Sequence, residues 1–151
     1  MDVHRLVEGR KLILCGVEIP HTLGLLGHSD ADVASHALMD ALLGAAALGD
    51  IGKLLPETDE RYRGADSLML LDRVMEALGE AGYRPVNADV TIVAQKPKLR
   101  PYIDQMRVHL ARHMGVDVSQ VSVKATTSEG MGFEGEEKGM TAHAVCLIES
   151  I

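Results

Sequence analysis

The sequence predicts an α/β fold of the α+β kind: a single domain, residues 1–151, with a mixed β-sheet covered by helices on one face. Three observations lead there. Helical and extended patterns succeed one another along the chain with no linker, internal repeat or low-complexity segment between them. The strands in the second half alternate or run apolar over lengths too short for helices. Finally, the chain is 46% hydrophobic but only 3% aromatic, so its core must be built from Leu, Val, Ile, Met and Ala.

Taken in order, Asp2-Val3-His4 reads as extended chain in which Asp2 and His4 share a side, because successive side chains alternate. Lys11–Pro20 is β-rich, with Gly16 as the turn between two short strands, and His21–Leu26 is a connection. The stretch from Gly27 to Asp50 is the centre of the chain. Ser29 or Asp30 is the expected N-cap of its helix, and Asp30 and Asp32 suit the positive end of the helix dipole. Ala34, Ala37, Leu38, Ala41, Leu42, Ala45 and Leu48 form one apolar stripe, while Met39, Leu43, Ala46 and Ala47 occupy the far side. A helix apolar nearly all round is buried on all sides. Asp32, His36 and Asp40 therefore stand out, four residues apart on one line of that helix and in need of partners.

Gly49-Asp50-Ile51-Gly52 ends the helix, and Leu54–Gly64 is a polar loop, either functional or simply solvated. Ala65–Ala81 is a second helix with Leu68, Leu71, Val74, Met75 and Leu78 inward and Gly82 as its stop. A strand, Ala88–Ala94, leads into Gln95-Lys-Pro-Lys-Leu-Arg-Pro101, which packs three cations into an otherwise acidic protein. Such a run is ordinarily a solvated face. Its flanking prolines and its place at the carboxyl end of a strand favour an anion site. Tyr102–His113 is a third helix, Val121–Thr126 a strand, Thr127–Gly139 a glycine-rich loop and Met140–Ile148 a closing strand. The glycine-rich loop matches no P-loop or dinucleotide fingerprint. Where the strand meets this loop, Thr126, Thr127 and Glu129 offer hydroxyls and a hard carboxylate suited to phosphate oxygens and Mg²⁺.

The net charge of −7 argues against nucleic acid as a partner, and no apolar run approaches the length of a membrane span. Cys15 and Cys146 lie in apolar runs and read as buried thiols of a reducing compartment, so a cytoplasmic protein is expected. A single helical His is ordinarily a hydrogen-bonded core residue. With Asp2, His4 and His28 nearby in pattern, however, His36 suggests a zinc site of mixed nitrogen and oxygen ligands, although separate elements would have to converge.

Five blocks then occur in one family's order: Asp2-Val3-His4, Gly27–His36, Gly49–Gly52, Ala94–Lys98 and Lys124–Glu129. On these motifs nearly the whole chain resembles the 2-C-methyl-D-erythritol 2,4-cyclodiphosphate synthase family of the non-mevalonate isoprenoid pathway. The resemblance implies a homotrimer with active sites between subunits. It also implies a CDP-linked substrate, 4-diphosphocytidyl-2-C-methyl-D-erythritol 2-phosphate, cyclised with release of CMP. Asp2, His4 and His36 would bind one Zn²⁺ per site, and Glu129 a Mg²⁺ or Mn²⁺ bridging the diphosphate. His28 and Thr127 would orient and stabilise the transferring phosphoryl group. Ser29, Asp50, Gly52 and the loop around Glu57 and Asp59 would hold the methylerythritol and its phosphate. The stretch Ala94, Pro97, Lys98, Leu99 and Arg100, together with Ala125, Thr126 and Thr127, would form the cytidine pocket.

The resemblance leaves open a cytidylyltransferase of the same pathway as a partner. Two other functions fit the same residues: a trimeric nucleotide- or isoprenoid-binding module without turnover, and a zinc hydrolase of nucleotide diphosphates. Three departures from the family pattern shape expectations. Met1 directly precedes Asp2 where the family normally has a short strand, so either the start is misassigned or truncated, or the two expected zinc ligands lie on a frayed end with weakened metal affinity. Glu136 stands beside Phe133 where an Arg is frequent, and His143 stands where a Glu is common. An isoprenoid diphosphate on the trimer axis is therefore expected to bind weakly, although Lys138 offers a cation nearby.

Overall fold

The computed structural model describes residues 1–151. Its main sheet contains five strands in the order β4-β1-β7-β5-β6. They are β1 (Asp2–Val7), β4 (Gly24–Leu25), β5 (Tyr83–Val93), β6 (Val121–Thr126) and β7 (Gly139–Ser150). The sheet is mixed as expected: β5 and β6 run parallel and every other pair is antiparallel. A separate hairpin is formed by β2 (Leu12–Leu14) and β3 (Val17–Ile19).

Three long helices, α1 (Val33–Ala45), α3 (Ser67–Glu80) and α4 (Ile103–Met114), cover one face. That face is lined by alternate residues of the long strands. Val90 pairs with Ala144 and Ile92 with Ala142, and Val121 and Val123 of β6 are buried beside them. One contiguous core of 34 buried apolar residues joins helices, sheet and hairpin, so the chain is a single domain. Helix α1 sits at its centre, with every residue from Val33 to Met39 buried. The parallel β5–β6 pair is spanned by α4, the crossover that parallel strands require.

The structure redraws several boundaries. Asp32, not Ser29 or Asp30, caps α1, its side chain accepting from the Ser35 N–H. The helix ends at Ala45, short of Gly49, and Asp50 caps a separate turn, α2 (Ile51–Leu54). His21–Leu26 is not only a connection, because Gly24–Leu25 forms the edge strand β4. The glycine-rich loop holds one helical turn, α5 (Gly132–Gly135). Asp2 opens β1 and pairs with Ala142, so Asp2 and His4 lie on a hydrogen-bonded strand rather than a frayed end. Asp32, His36 and Asp40 do not act as one line; each turns to a different neighbour.

Asp32 shows why local reading misled. Its carboxylate is fully buried and also accepts from the backbone N–H of Cys15 (2.9 Å) and Gly16 (2.8 Å), the two-residue turn between β2 and β3. Both turn residues have positive φ, the twist a two-residue hairpin favours, and a Cβ on Gly16 would overlap the Leu68 side chain. Asp32 thus ties the hairpin to the start of the central helix.

Candidate active site and metal centre

One turn beyond that cap, α1 presents His36 toward β1. Asp2 and His4 are on the same side of β1 and face the helices, while Val3 and Arg5 point the other way and are exposed. The three ligand-capable side chains converge, with their donor atoms all within 4.8 Å of one another. His4 Nε2 lies 3.0 Å from Asp2 Oδ2, and His36 Nδ1 lies 3.2 Å from the same oxygen. His4 Nδ1 is 2.7 Å from the Leu26 carbonyl, which can only accept, so Nδ1 carries a proton and Nε2 is the nitrogen presented to the cluster. Two imidazole nitrogens and a carboxylate, drawn together and partly exposed, fit a divalent cation with an open coordination position.

The local electrostatics follow from the same contacts. Burial alone would raise the Asp2 carboxyl, but hydrogen bonds and charge from His36 and His4 outweigh it and hold it well below the usual carboxylate range. Burial alone would lower the His4 imidazole. Its contacts with Asp2 and the Leu26 carbonyl, aided by the Glu57 charge, raise it instead.

A cavity of about 380 Å³ opens beside the cluster and is lined by His28, Ser29, Gly52 and Glu57 as well as Asp2, His4 and His36. Its position is set by short local devices. Asp40 accepts from the Ile51 N–H at 2.9 Å and fixes α2, which carries Gly52. The Gly64 N–H donates to the His28 carbonyl at 2.8 Å, and His28 Nε2 donates to the Asp59 carbonyl at 3.2 Å, folding the polar loop over the site. Two expected residues lie off the cavity wall. The Asp50 carboxylate caps α2, and that of Asp59 binds Arg61 at 2.6 Å.

Most of the remaining expected residues gather elsewhere. Ala94, Pro97, Lys98, Leu99, Arg100, Ala125, Thr126 and Thr127 line a second, larger cavity of about 970 Å³ where β5 and β6 end. The two loops around it are joined: the Ala94 N–H donates to the Thr126 carbonyl, and the Gly130 N–H to Gln95 Oε1. Glu129 adopts a positive φ beside Thr127 and lines neither cavity. No residue lines both cavities, so within one chain His28 and Thr127 stand at different places. Phe133 and Glu136 lie on and just after α5, and Glu136 is paired with Lys138 at 2.8 Å, which lowers its carboxyl.

Sequence reasoning missed Asp40 as an anchor for α2, and it missed Ser67, whose hydroxyl approaches His36 Nε2 at 2.9 Å. No spacing rule links Ser67 to His36, because they belong to different helices. Asp30 was read only as a cap, yet it accepts from the Ser67 N–H at 2.9 Å.

Comparison with known proteins gives concordant results. The YgbB family model matches residues 1–149. A 2-C-methyl-D-erythritol 2,4-cyclodiphosphate synthase of Lachnospira eligens is 59% identical over 150 residues, 99% of this chain and 82% of that protein. Among solved structures, the bifunctional IspDF from Campylobacter jejuni superposes with a TM-score of 0.95 at 41% identity; the match covers 99% of this chain but only 41% of that longer one. A 2C-methyl-D-erythritol-2,4-cyclodiphosphate synthase solved in a CDP-bound form superposes at 0.89 with 40% identity, covering 98% of this chain and 96% of the other.

Proposed function

The chain belongs to the YgbB family, whose named relatives are 2-C-methyl-D-erythritol 2,4-cyclodiphosphate synthases, and we propose that its two cavities receive the two ends of one substrate. The reaction is that of the non-mevalonate isoprenoid pathway. 4-Diphosphocytidyl-2-C-methyl-D-erythritol 2-phosphate is cyclised to the 2,4-cyclodiphosphate and CMP leaves. A 2-phosphate oxygen forms a bond to the β-phosphorus while the bond from that phosphorus to the bridging oxygen breaks, and CMP departs with that oxygen. The observation that carries this reading is the convergence of Asp2, His4 and His36 on a cavity also lined by His28, Ser29, Gly52 and Glu57.

The nucleophile is already an anion, so the protein's task is positioning and charge neutralisation. Zn²⁺ is the cation proposed for Asp2, His4 and His36, and Mg²⁺ or Mn²⁺ for Glu129; bound there, they would neutralise charge where two phosphates approach. His28 and Thr127 orient the transferring phosphoryl group. Ser29 and Gly52 hold the methylerythritol phosphate end, with Glu57 on the cavity wall and Asp50 and Asp59 shaping α2 and the overlying loop. The larger cavity takes the cytidine, with Pro97, Leu99 and Ala94 as apolar walls and Lys98 and Arg100 near the diphosphate. Holding both ends of one substrate supplies orientation equivalent to several kcal/mol, on the order of the gain known for well-aligned intramolecular reactions.

His28 and Thr127 line different cavities in one chain, and in the proposed assembly a neighbouring copy completes the site. The sheet face opposite the helices supports this: Val3 of β1 and Val145 and Leu147 of β7 are exposed on it. A homotrimer closing around this face is the proposed assembly. The Glu136–Lys138 pair leaves little free cationic charge beside Phe133, so an isoprenoid diphosphate is expected to bind there weakly. The bifunctional neighbour supports a partner enzyme working beside this one, as a cytidylyltransferase would. No helix is long and apolar enough to cross a membrane, and the buried, unpaired Cys15 suits the proposed cytoplasmic setting.

Phosphorus NMR of the protein with this substrate, with and without a zinc chelator, tests the reading. Cyclic diphosphate and CMP should form only with metal. A linear phosphate product would instead point to a hydrolase, and binding of CDP without turnover to a binding module.

A further inference from the structure

His36 is buried, and its two ring nitrogens face different surroundings. Nδ1 points at Asp2 Oδ2 and His4 Nε2, both at 3.2 Å, whereas Nε2 points away from the cluster into the joint between α1 and α3. There it meets the hydroxyl of Ser67 at 2.9 Å, with Ser29 Oγ further off at 3.2 Å. Ser67 is the first residue of α3 and is completely buried. Its hydroxyl donates to Asp30 Oδ1, while its backbone N–H donates to Asp30 Oδ2 at 2.9 Å. Asp30 also accepts from the Asp32 N–H, and its own N–H is held by the Ala65 carbonyl at 3.0 Å, so its carboxylate is fixed in place.

A serine hydroxyl has one proton, and a carboxylate can only accept. The Ser67 proton is therefore committed to Asp30, and toward His36 the Ser67 oxygen can only accept. Pairing with Ser67 puts a proton on Nε2, and a neutral ring then presents a bare Nδ1 to the cluster; the opposite tautomer would donate to Asp2 Oδ2 but leave the Nε2 lone pair facing the Ser67 oxygen. We propose that Ser67 and Asp30 are positioning residues that hold His36 as its Nε2–H tautomer, with the ligating Nδ1 lone pair directed at Asp2 and His4. The proposal rests on reading Asp2, His4 and His36 as metal ligands. Partners of this kind behind a metal-bound His set both ring orientation and ligand basicity, and losing one typically weakens metal affinity about 10- to 100-fold.

The test uses the full chain labelled with ¹⁵N-histidine, stripped of metal and held at pH 8. Long-range ¹H–¹⁵N correlation should show His36 as the Nε2–H tautomer in the wild type. In Ser67→Ala it should show a tautomer mixture or Nδ1–H. Competition of Zn²⁺ against a coloured chelator should show about a 10- to 100-fold loss of affinity in Ser67→Ala. Asp66→Ala is the structural control, because Asp66 caps α3 through the Leu68 N–H and does not touch His36. It should lower the melting temperature and leave both readouts unchanged. The proposal is overturned by an Nδ1–H tautomer in the wild type, by Ser67→Ala leaving both readouts intact, or by Asp66→Ala weakening Zn²⁺ equally. A wild type that shows the Nε2–H tautomer yet ignores Zn²⁺ would overturn the metal reading and uphold the tautomer assignment.

Discussion

Asp32 and His4 illustrate how much a single buried polar group controls here. Asp32 accepts from three backbone N–H groups and the Ser35 hydroxyl, with no solvent to replace any of them. Asn at this position has one acceptor oxygen and turns an N–H₂ toward donors. Each buried donor left unpaired costs about 1–3 kcal/mol. Asp32→Asn is therefore expected to destabilise by roughly 2–4 kcal/mol, which lowers the melting temperature by about 5–15 °C in a domain of this size. A fall of less than 2 °C would show that the hairpin does not depend on this anchor. His4 gives a pH prediction. Its folded value lies above the ordinary 6.5, so its proton stabilises the metal-free protein at low pH, and that contribution is lost as pH rises through the raised value. A cation must displace that proton, so metal affinity should fall as pH drops through the same window. Calorimetry at pH 7 in buffers of different ionisation heat should register a proton released on Zn²⁺ binding. Identical heats in all buffers would contradict it.

Among the elements, the glycine-rich segment between β6 and β7 was legible as a loop but not as a built object. Its short helix α5 is packed so closely that a Cβ on Gly135 would overlap the backbone of Gly130. Only a residue without a side chain lets the segment fold back on itself next to Glu129. Gly135→Ala should displace Thr127 and Glu129 and reduce turnover at least tenfold. The Zn²⁺ affinity of Asp2, His4 and His36 should be unchanged, because those residues lie on other elements. Unaltered turnover would show that the loop relaxes without cost. Long strands and helices were readable because their periodicity extends over many residues; β4, of two residues, has no period to read. The end of α1 was misplaced for a related reason. Its composition stays apolar to Leu48 while the backbone leaves the helix after Ala45, so hydrophobicity and helix geometry part company there.

For the molecule as a whole, the decisive feature is that one sheet face is packed under the long helices, whereas the other is covered by α5 near Thr141 and open around Val145 and Leu147. Val145 and Leu147 are 65% and 60% exposed on the open face, in a chain whose helix-facing strand residues are largely buried. If that face closes the proposed trimer, Val145→Asp combined with Leu147→Asp should yield monomers in sedimentation velocity. The same variant should keep its own fold, since neither side chain belongs to the core, and should lose turnover because the two cavities no longer face each other across subunits. A variant that remains trimeric would place the interface elsewhere.

By itself the sequence determined the helices around His36, Leu71 and Met106, the aliphatic core, the mixed sheet and the motifs that place the chain in its family. These depend on periodicity, composition and residue order, which are properties of neighbours in the chain. Tertiary structure alone decided that Asp2, His4 and His36 meet, that Asp32 binds a hairpin turn instead of lining the site, and that Ser67 stands behind His36. It also decided that His28 and Thr127 belong to separate cavities of one chain. Each of these depends on contacts between elements remote in sequence, where hydrogen-bond geometry and packing, not local pattern, select the partner.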